Sequence, residues 1–593
     1  MRIYFVLFVC LLFSTVLAAQ KMRLAENYVD QGEYAKALKI YKESYNANKR
    51  STKSLFNLIE VYHQLENYTA VDSLLDQAVI LLPRNKELLV ERGYNLGLQG
   101  MTVQADSLYD LAIKSLDSLP QYSYQIGARF EKRTLLDQAV ATYERGSKLM
   151  PNRNFDYQLS RLYGEQGNFE KLFDSTVGLI ETNSSYRARA QAIFSRYITD
   201  DASSEINLAL RKVLLLRLRE NPDLLYNHLL SWLYVQQKDF KKAFVQEKAI
   251  YRRTQENMLD LQYLASDAVE EKDIEAALEI LDYVIQESPV QGVRYEAQLM
   301  KINIRADIAT LEQYPSVKSD YEQILEQYGS GSDTYKAQLD YARFMAFSLN
   351  ESDAAILLLS KLEELKLSTI QRANVKMLLA DILVSQEQFN RALILYSQVQ
   401  NDVPNYELAQ EAQFKVARTS YFQGDFKWSL TQLKVLRAAA SKLIANDAME
   451  LSLVISDHSI EDTTMVALSA LAKAELKQYQ NKNLEAIELF NKLLLNHKGD
   501  PIEDEALLSQ AQLYQKVGKV QMAVNNYRRV VNDYGEGSLA DDALYFLGLL
   551  YEETLAMPAK AQECFQAIIF NHADSIHLID ARRRFRRLRG DDV

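Results

Sequence analysis

Residues 31–47 read QGEYAKALKIYKESYNA. In this stretch the small residue Ala37 lies between two tyrosines, Tyr34 and Tyr41, and follows a glycine at position 32. Spacings of three and four residues place these side chains on one face of a helix. The pattern suits a single amphipathic helix of a globular enzyme as well as one unit of a repeating structure, so the rest of the chain has to decide between them.

The chain repeats this pattern every 34 residues, beginning with the step from Ala37 to Val71. Four columns of residues show it: Ala37, Val71, Ala105 and Ala139; Tyr41, Leu75, Tyr109 and Tyr143; Tyr28, Tyr62, Leu96 and Phe130; and, at the turn, Gly32, Glu66, Gly100 and Thr134. Small residues allow two paired helices to approach closely, and large side chains fill the spaces between them. Because a single helical hairpin cannot bury both of its faces, such units are expected to stack into a solenoid.

The composition favours a long helical array. Of 593 residues, 48% are hydrophobic and 25% are charged, while only 9 are proline and 19 are glycine. So few helix breakers indicate long stretches of helix, and the length exceeds what one hydrophobic core normally serves. The formal net charge of −11 argues against nucleic acid as a partner, because binding to phosphates needs a basic surface.

Several segments share two apolar stripes of helical spacing that are separated by a turn. The clearest lie at 57–83, 124–151, 264–289, 379–404 and 511–535. Their pattern of Tyr, Ala, Phe or Tyr, Ala and Pro resembles the tetratricopeptide repeat. The resemblance implies an all-α fold, a right-handed superhelical solenoid of helix-turn-helix hairpins with about a dozen repeats. It also implies a concave groove that binds peptides or partner helices.

The predicted organisation follows from where the repeats are clear and where their spacing drifts. The predicted segments are a signal peptide at 1–19, an N-terminal repeat array at 20–181, a degenerate helical pair at 182–222, a repeat pair at 223–291, degenerate longer helical repeats at 292–372, a C-terminal repeat array at 373–575 and a basic amphipathic capping helix at 576–593.

Junctions between the C-terminal repeats also share a sequence. Residues 327–337 and 533–543 nearly duplicate each other, and 571–581 are a looser copy. The spacing of Ser538 and Asp541 predicts a capping box at the start of the following helix. In these junctions the C-terminal repeats are similar to those of exported tetratricopeptide-repeat proteins of Gram-negative envelopes. The proteins concerned belong to the β-barrel assembly and Tol-Pal systems.

The beginning of the sequence is typical of an export signal. Arg2 precedes an apolar run at 3–17, and Ala18 and Ala19 provide a small-residue cleavage site. An uncleaved membrane anchor is the alternative, but the apolar run is short for a membrane span. We therefore expect a protein that is exported to the periplasm, where it is either free or bound peripherally to the outer membrane. After cleavage of the signal, it should have no transmembrane segment. The cleaved chain would retain a single cysteine, Cys564.

No sequence motif points to chemistry. The common nucleotide-binding, nucleophile and zinc patterns are missing from the sequence. His572, Asp574 and His577 are close in sequence, but the turn expected between them should separate them. We therefore predict no catalytic, cofactor-binding or metal site and no enzymatic activity.

The first helices of the first four repeats supply the candidate partner-binding groove. Glu87 and Glu91 stand where related domains that grip a C-terminal carboxylate have basic residues, so that clamp is missing. The face is instead acidic and aromatic, which suits a basic or mixed-charge partner, although its aromatic residues could also pack between repeats. The candidate residues are Glu26, Phe56, Glu60, His63, Tyr94, Tyr124 and Glu131.

The chain carries six arginines in eight positions within ARRRFRRLRG at 581–590. Ala581, Phe585 and Leu588 form an apolar stripe on the predicted helix. One interpretation is a helix that caps the last repeat. The other is docking to anionic lipid, lipopolysaccharide or an acidic protein patch. The candidate docking residues are Arg583, Arg586 and Arg587.

Together these features predict a non-enzymatic scaffold for protein–protein interaction, exported to the cell envelope and binding proteins or peptides in its groove. A narrower alternative is an adaptor of the outer-membrane assembly or secretion machinery. An alternative of another class is an envelope enzyme whose site lies in the degenerate stretches 182–222 or 293–370.

Overall fold

The structure is a computed structural model that describes residues 20–256, 258–439, 442–461 and 465–591. The predicted signal peptide at 1–19 lies outside the described residues. Throughout the described ranges, all regular secondary structure is helical and no strand occurs. The predicted all-α fold, an array of helical hairpins, is confirmed.

The chain forms two compact units that divide between Ile280 and Leu281. The helices of the first unit are α1 (20–30), α2 (Tyr34–Ala47), α3 (Thr52–Gln64), α4 (Tyr68–Leu81), α5 (Glu87–Leu98), α6 (Thr102–Lys114), α7 (Ser123–Lys132), α8 (Leu136–Leu149), α9 (Asp156–Glu165), α10 (Phe169–Thr182), α11 (Arg187–Phe194), α12 (Glu205–Glu220), α13 (Leu224–Gln236), α14 (Phe240–Thr254) and α15 (Leu259–Glu270). The division falls inside α16 (Ile274–Glu287).

The second unit continues in the same way. Its helices are α17 (Gln291–Ile308), α18 (Tyr314–Tyr328), α19 (Tyr335–Phe347), α20 (Ser352–Glu363), α21 (Thr369–Ser385), α22 (Phe389–Asp402), α23 (Glu407–Gln423), α24 (Phe426–Ala439), α25 (Lys442–Glu461), α26 (Val466–Tyr479), α27 (Asn483–Asn496), α28 (Glu503–Lys516), α29 (Val520–Asp533), α30 (Ala540–Leu549), α31 (Pro558–Asn571) and α32 (Leu578–Arg589). Short 3₁₀ segments occur at Ser115–Asp117, Pro120–Tyr122, Ser184–Tyr186 and Ser332–Thr334, and a π-helical turn at Leu550–Thr554.

Successive helices pack in pairs, such as α5 with α6, α7 with α8 and α28 with α29. The first helices of neighbouring pairs also touch, as α5 and α7 do in the first unit and α21 and α23 in the second. The pairing is interrupted in each unit. In the first unit α10 contacts both α11 and α12, and in the second unit α25 contacts both α24 and α26 and separates two pairs.

In the described part of the chain, most turns between the two helices of a pair share one conformation, and the α17–α18 connection at 309–313 is an exception. In the shared conformation one residue is left-handed, with φ between 50° and 89°. These residues are Gly32, Glu66, Gly100, Thr134, Gly167, Lys238, Lys272, Asn350, Glu387, Gly424, Asn481, Gly518 and Ala556. The four turn positions that the 34-residue spacing predicted begin this series.

A hydrogen bond closes each of these early turns. The amide after the left-handed residue donates to the carbonyl five residues earlier, from Glu33 to Tyr28 at 2.8 Å and from Leu135 to Phe130 at 3.0 Å. This is the bond that ends a helix in a Schellman motif. The column that contains Tyr28 and Phe130 therefore marks the acceptor position of the turn as well as a packing position.

Close contact between paired helices explains why one column of the repeat holds small residues and another holds large ones. Ala37 is fully buried, and the Tyr41 side chain is buried on the same helix. In the next clear examples a glycine on the first helix meets a tyrosine of the second: Gly93 faces Tyr109, and Gly127 faces Tyr143. Since the partners are again 34 residues apart, the repeat seen in the sequence is a repeat of contacts.

The predicted capping box at Ser538 and Asp541 is wrong. The helix begins one residue later than expected, and Leu539 occupies the N-cap position of α30 without a side-chain hydrogen bond. Because the cap has to lie directly before the first helical residue, a shift of one position removes the interaction.

Candidate partner-binding face

The first helices α3, α5 and α7 are joined by charged side chains, and this group of residues contains most of the predicted groove. Arg133, directly after α7, donates to Glu91 on α5 and reaches across to Glu60 on α3 at 2.8 Å. One side chain thus connects three consecutive repeats of the first unit.

The pair of Arg133 and Glu91 is buried. Nη2 of Arg133 donates to Oε2 of Glu91 at 2.6 Å, and its Nε donates to Oε1 at 3.2 Å. The Glu91 side chain is inaccessible, and only 4% of the Arg133 side chain is exposed. Burial alone would lower the pKa of Arg133, but Glu91 and Glu60 beside it raise that pKa above its ordinary value. The arginine therefore stays charged, and the two-bond geometry fixes the orientation of its guanidinium.

Arg129 lies one turn before Arg133 and forms a second bridge. Its guanidinium is 3.3 Å from Glu87 and 3.4 Å from Glu91, and its Cζ lies 3.5 Å from the centroid of the Phe56 ring. Burial raises the pKa of Glu87, and the charge of Arg129 opposes that shift. The arrangement covers Phe56, which is 7% exposed.

His63 is held in the same group through Asn95. The amide nitrogen of Asn95 donates to Asp72 at 2.8 Å and to the carbonyl of Tyr68 at 3.2 Å. The amide oxygen therefore faces Nε2 of His63, 3.2 Å away, and Nε2 is the donor. Burial, followed by the charge of Arg133, lowers the pKa of His63, so the ring is neutral at pH 7.

Tyr94 completes the group between α3 and α7. Its ring meets the His63 ring edge to face, with centroids 5.3 Å apart, and the guanidinium of Arg133 lies 4.5 Å from its centroid. The structure thus brings together Phe56, Glu60, His63 and Tyr94. Phe56 and His63 are buried, whereas Glu60 and Tyr94 remain partly accessible.

The other three predicted residues lie outside this group of contacts. Glu131 accepts a hydrogen bond of 2.6 Å from the Tyr143 hydroxyl and pairs with Arg161 on α9. Tyr124, near the start of α7, is 48% exposed. Glu26 on α1 is exposed. Partner binding through any of the seven residues stays a prediction.

Sequence analysis missed Arg129, Arg133 and Arg161. It described the face as acidic and aromatic, while these arginines neutralise Glu60, Glu87, Glu91 and Glu131 from within the chain. The sequence contains a pattern that could have indicated these contacts. Glu87 and Glu91 are four residues apart on α5, and Arg129 and Arg133 are four residues apart at the end of the neighbouring first helix, α7. The face is thus of mixed charge, with an aromatic component.

The candidate docking residues at the C-terminus lie on α32. Arg583 pairs with Asp580 on the same helix, and Arg587 pairs with Glu552 at 2.5 Å. Arg586 is exposed and forms no ion pair within the part of the chain that the structure describes. The opposite side of α32 packs on the last hairpin: Ala581 is fully buried, and Phe585 and Leu588 are packed against the core.

Two glutamates of the second unit have raised pKa values. Burial raises the pKa of Glu505 on α28 to about 8, and the neighbouring charges of Asp504 and Glu475 add to the shift. Burial likewise raises the pKa of Glu475 on α26 to about 7. Each of these groups carries a proton at a pH where an exposed glutamate has lost it.

The described residues hold no cluster of three or more His, Cys, Asp or Glu side chains arranged to bind a metal ion. Of the three residues considered for such a cluster, His577 instead approaches Asp542 at 2.7 Å and stacks on Tyr545 with ring centroids 3.9 Å apart. No helix among those described is long and apolar enough to cross a membrane. Cys564 is buried.

Comparison with known proteins finds similarity in structure but none in sequence. No protein-family model matches the chain, and no curated protein sequence is significantly similar to it. Solved structures that resemble it include the crystal structure of yeast Tom70, with 15% identity, coverage of 94% of this chain and 98% of Tom70, and a TM-score of 0.30. The structure of Naa15/Naa10 bound to HypK-THB has 13% identity, coverage of 96% of each chain and a TM-score of 0.27. Values this low establish no relationship, so the function has to be inferred from the chain's own surfaces.

Proposed function

We propose that this protein is a non-enzymatic scaffold that binds protein or peptide partners on the face formed by α3, α5 and α7. The observation that carries the proposal is the way Arg133 joins three successive first helices. Its ion pair orients Glu60, and its guanidinium lies over the Tyr94 ring; both of these residues are partly accessible. A surface whose polar groups are already oriented loses little entropy when a partner binds.

The mixed charge of this face defines the partner chemistry. Because Glu60 and Glu91 are paired with Arg133, the face does not carry a large excess of negative charge. A partner helix or extended segment with an apolar side chain and both charge signs would complement it. The exposed Tyr124 at the start of α7 can add aromatic contact, and tyrosine is enriched among residues that dominate binding energy.

The proposal extends to the location of the protein. The export signal read at 1–19 supports a scaffold that works in a Gram-negative periplasm, peripheral to the outer membrane. Within that setting, an adaptor role in outer-membrane assembly or secretion is the narrower form of the proposal. Its support is the junction sequence shared by 327–337 and 533–543.

The test is a comparison of partner capture by matched variants. Tyr124→Ala removes an exposed side chain from the proposed face, and Val103→Ser removes one that is 82% exposed on the second helix α6. After cross-linking in cells and purification, partners specific to the groove should be depleted by Tyr124→Ala and retained by Val103→Ser. Equal recovery of every partner with both variants would contradict the proposal, and turnover by the purified chain in a hydrolase screen would contradict its non-enzymatic part.

A further inference from the structure

The outward face of α32 combines arginines with an exposed isoleucine. Arg582 and Arg583 lie three and four residues after Ile579, and Arg586 lies four and three residues after them, so these residues share one side of the helix. All four side chains are exposed, and the Ile579 side chain is 83% exposed. The Ala581 side of the helix faces the last hairpin instead.

Two more exposed apolar side chains lie close in sequence to Ile579. Phe570, in the last turn of α31, is 70% exposed, and Ile576, in the connection to α32, is 84% exposed. With Ile579 they surround the turn between the last two helices. Large apolar side chains in such a group are uncommon on a surface that contacts only water.

The capping role of α32 does not require these residues. Arg584 and Arg587 supply ionic contacts of the cap, at 2.8 Å and 2.5 Å from Glu552. Arg582 and Arg586, by contrast, form no ion pair within the described part of the chain, and the side chain of Arg583 is 68% exposed despite its contact with Asp580. The outward arginines are therefore available to an external anion.

We propose that this end of the protein, defined by Phe570, Ile576, Ile579, Arg582, Arg583 and Arg586 and here termed the terminal docking face, binds the surface of an anionic phospholipid membrane. The apolar side chains enter the boundary between headgroups and acyl chains, and the arginines contact lipid phosphates. This inference deepens the envelope location in the proposed function and rests on it.

Charge complementarity favours a membrane as the occupant. The chain as a whole carries −11, so an anionic surface repels most of it and attracts this basic end. The exposed arginines and the protruding apolar side chains match the two components of an interfacial anchor. One carboxylate, the exposed Asp574, lies in the same turn and opposes this attraction.

The experiment measures binding of the full chain to vesicles of equal parts phosphatidylglycerol and phosphatidylethanolamine, with pure phosphatidylcholine vesicles for comparison. We expect binding to the anionic vesicles only, weakened by salt. Combined substitution of Arg582, Arg583 and Arg586 by Gln should reduce the affinity by roughly ten-fold or more. The Ile576→Ser/Ile579→Ser variant should also bind more weakly.

Two further variants distinguish a specific change in vesicle binding from general damage to the fold. Ile80→Ser/Val103→Ser changes side chains that are 80% and 82% exposed elsewhere, and it should bind as the unaltered chain does. Asp574→Asn should bind more tightly, because it removes an exposed negative charge from this turn. Absence of binding to anionic vesicles, equal binding to phosphatidylcholine, or unchanged binding by the arginine variant would overturn the inference. Since no protein partner is present in this assay, its failure would leave the scaffold proposal intact.

Discussion

The ring of Tyr143 on α8 lies directly against the backbone of Gly127 on α7, at a point where even a methyl group has no space. The contact repeats the one between Tyr109 and Gly93 in the preceding hairpin. Tyr143 is fully buried. The rings therefore fill the space that the glycines leave between paired helices, and this packing accounts for the 34-residue columns.

Gly127→Ala should destabilise the protein. The added methyl group would overlap the Tyr143 ring, which cannot move because it is enclosed, and overpacking of this kind costs about 1–3 kcal/mol. Gly97→Ala is the matched control, since its methyl group would meet only ordinary contacts at 3.8 and 3.9 Å. Removing a helical glycine there should stabilise the protein by up to about 1 kcal/mol. Denaturant unfolding measures both effects, and equal destabilisation by the two substitutions would contradict the packing account.

The left-handed turns allow a second pair of opposed substitutions. Thr134 has φ of 55°, which is strained for a β-branched residue, so Thr134→Gly should stabilise the protein by about 1 kcal/mol. Gly100, at the equivalent turn, has φ of 80°, and Gly100→Thr should cost at least as much. Thermal unfolding is the measurement. A loss of stability in Thr134→Gly would show that the side chain, rather than the backbone conformation, determines that turn.

Replacing one member of the Arg133–Glu91 ion pair should destabilise the protein more than replacing both. Arg133→Met removes the bidentate partner of the inaccessible Glu91 carboxylate, and Arg129 stays as a weaker partner at 3.4 Å. Because loss of one partner from a buried pair typically costs about 3–5 kcal/mol, we expect a cost of about 3 kcal/mol here. The double variant Glu91→Met/Arg133→Met removes both charges and should be the more stable of the two variants. Urea unfolding of the single and double variants measures the difference. A double variant less stable than Arg133→Met would show that the pair itself, and not the orphaned charge, determines the stability.

The carboxylates of the second unit predict a dependence on pH. Folding raises the pKa of Glu505 from 4.5 to about 8, so the folded state retains a proton that the unfolded state releases within this range. The contribution of this group to stability is complete below pH 4.5 and is lost as the pH rises through 8. Because each pKa unit corresponds to about 1.4 kcal/mol, Glu505→Gln should stabilise the protein by up to about 4 kcal/mol at pH 8.5 and have little effect at pH 4.5.

Thermal unfolding at the two pH values tests this, with the exposed Glu488→Gln as the control for loss of a surface charge. Equal effects of Glu505→Gln at both pH values would contradict the raised pKa. Destabilisation at pH 8.5 would show that the ionised carboxylate has a stabilising partner.

The repeat could be predicted from the sequence because it depends on local spacing. Ala37 and Tyr41 belong to columns that one helical hairpin is enough to explain, and each of the turns at Gly32 and Glu66 depends on six consecutive residues. The apolar stripe likewise identified the inward side of α32, where Ala581 is buried.

The charged network could not be derived in the same way. Arg133 meets Glu60 across 73 residues, and the contact depends on how three repeats stack. Likewise, the burial of Phe56 and His63 results from side chains supplied by neighbouring helices. The failed cap at Ser538 shows the limit at short range, because a helix boundary displaced by one residue is enough to change the interaction.

The central claim, a partner-binding face on the first helices of the N-terminal repeats, is tested most directly by a photo-cross-linking amino acid placed at Tyr124, which is 48% exposed on α7. The same group at Val103, which is 82% exposed on α6, is the control. After irradiation in cells and mass spectrometry, the account predicts a discrete protein partner cross-linked at position 124 and not at position 103. The same cross-linked products at both positions, or products at position 103 only, would contradict it.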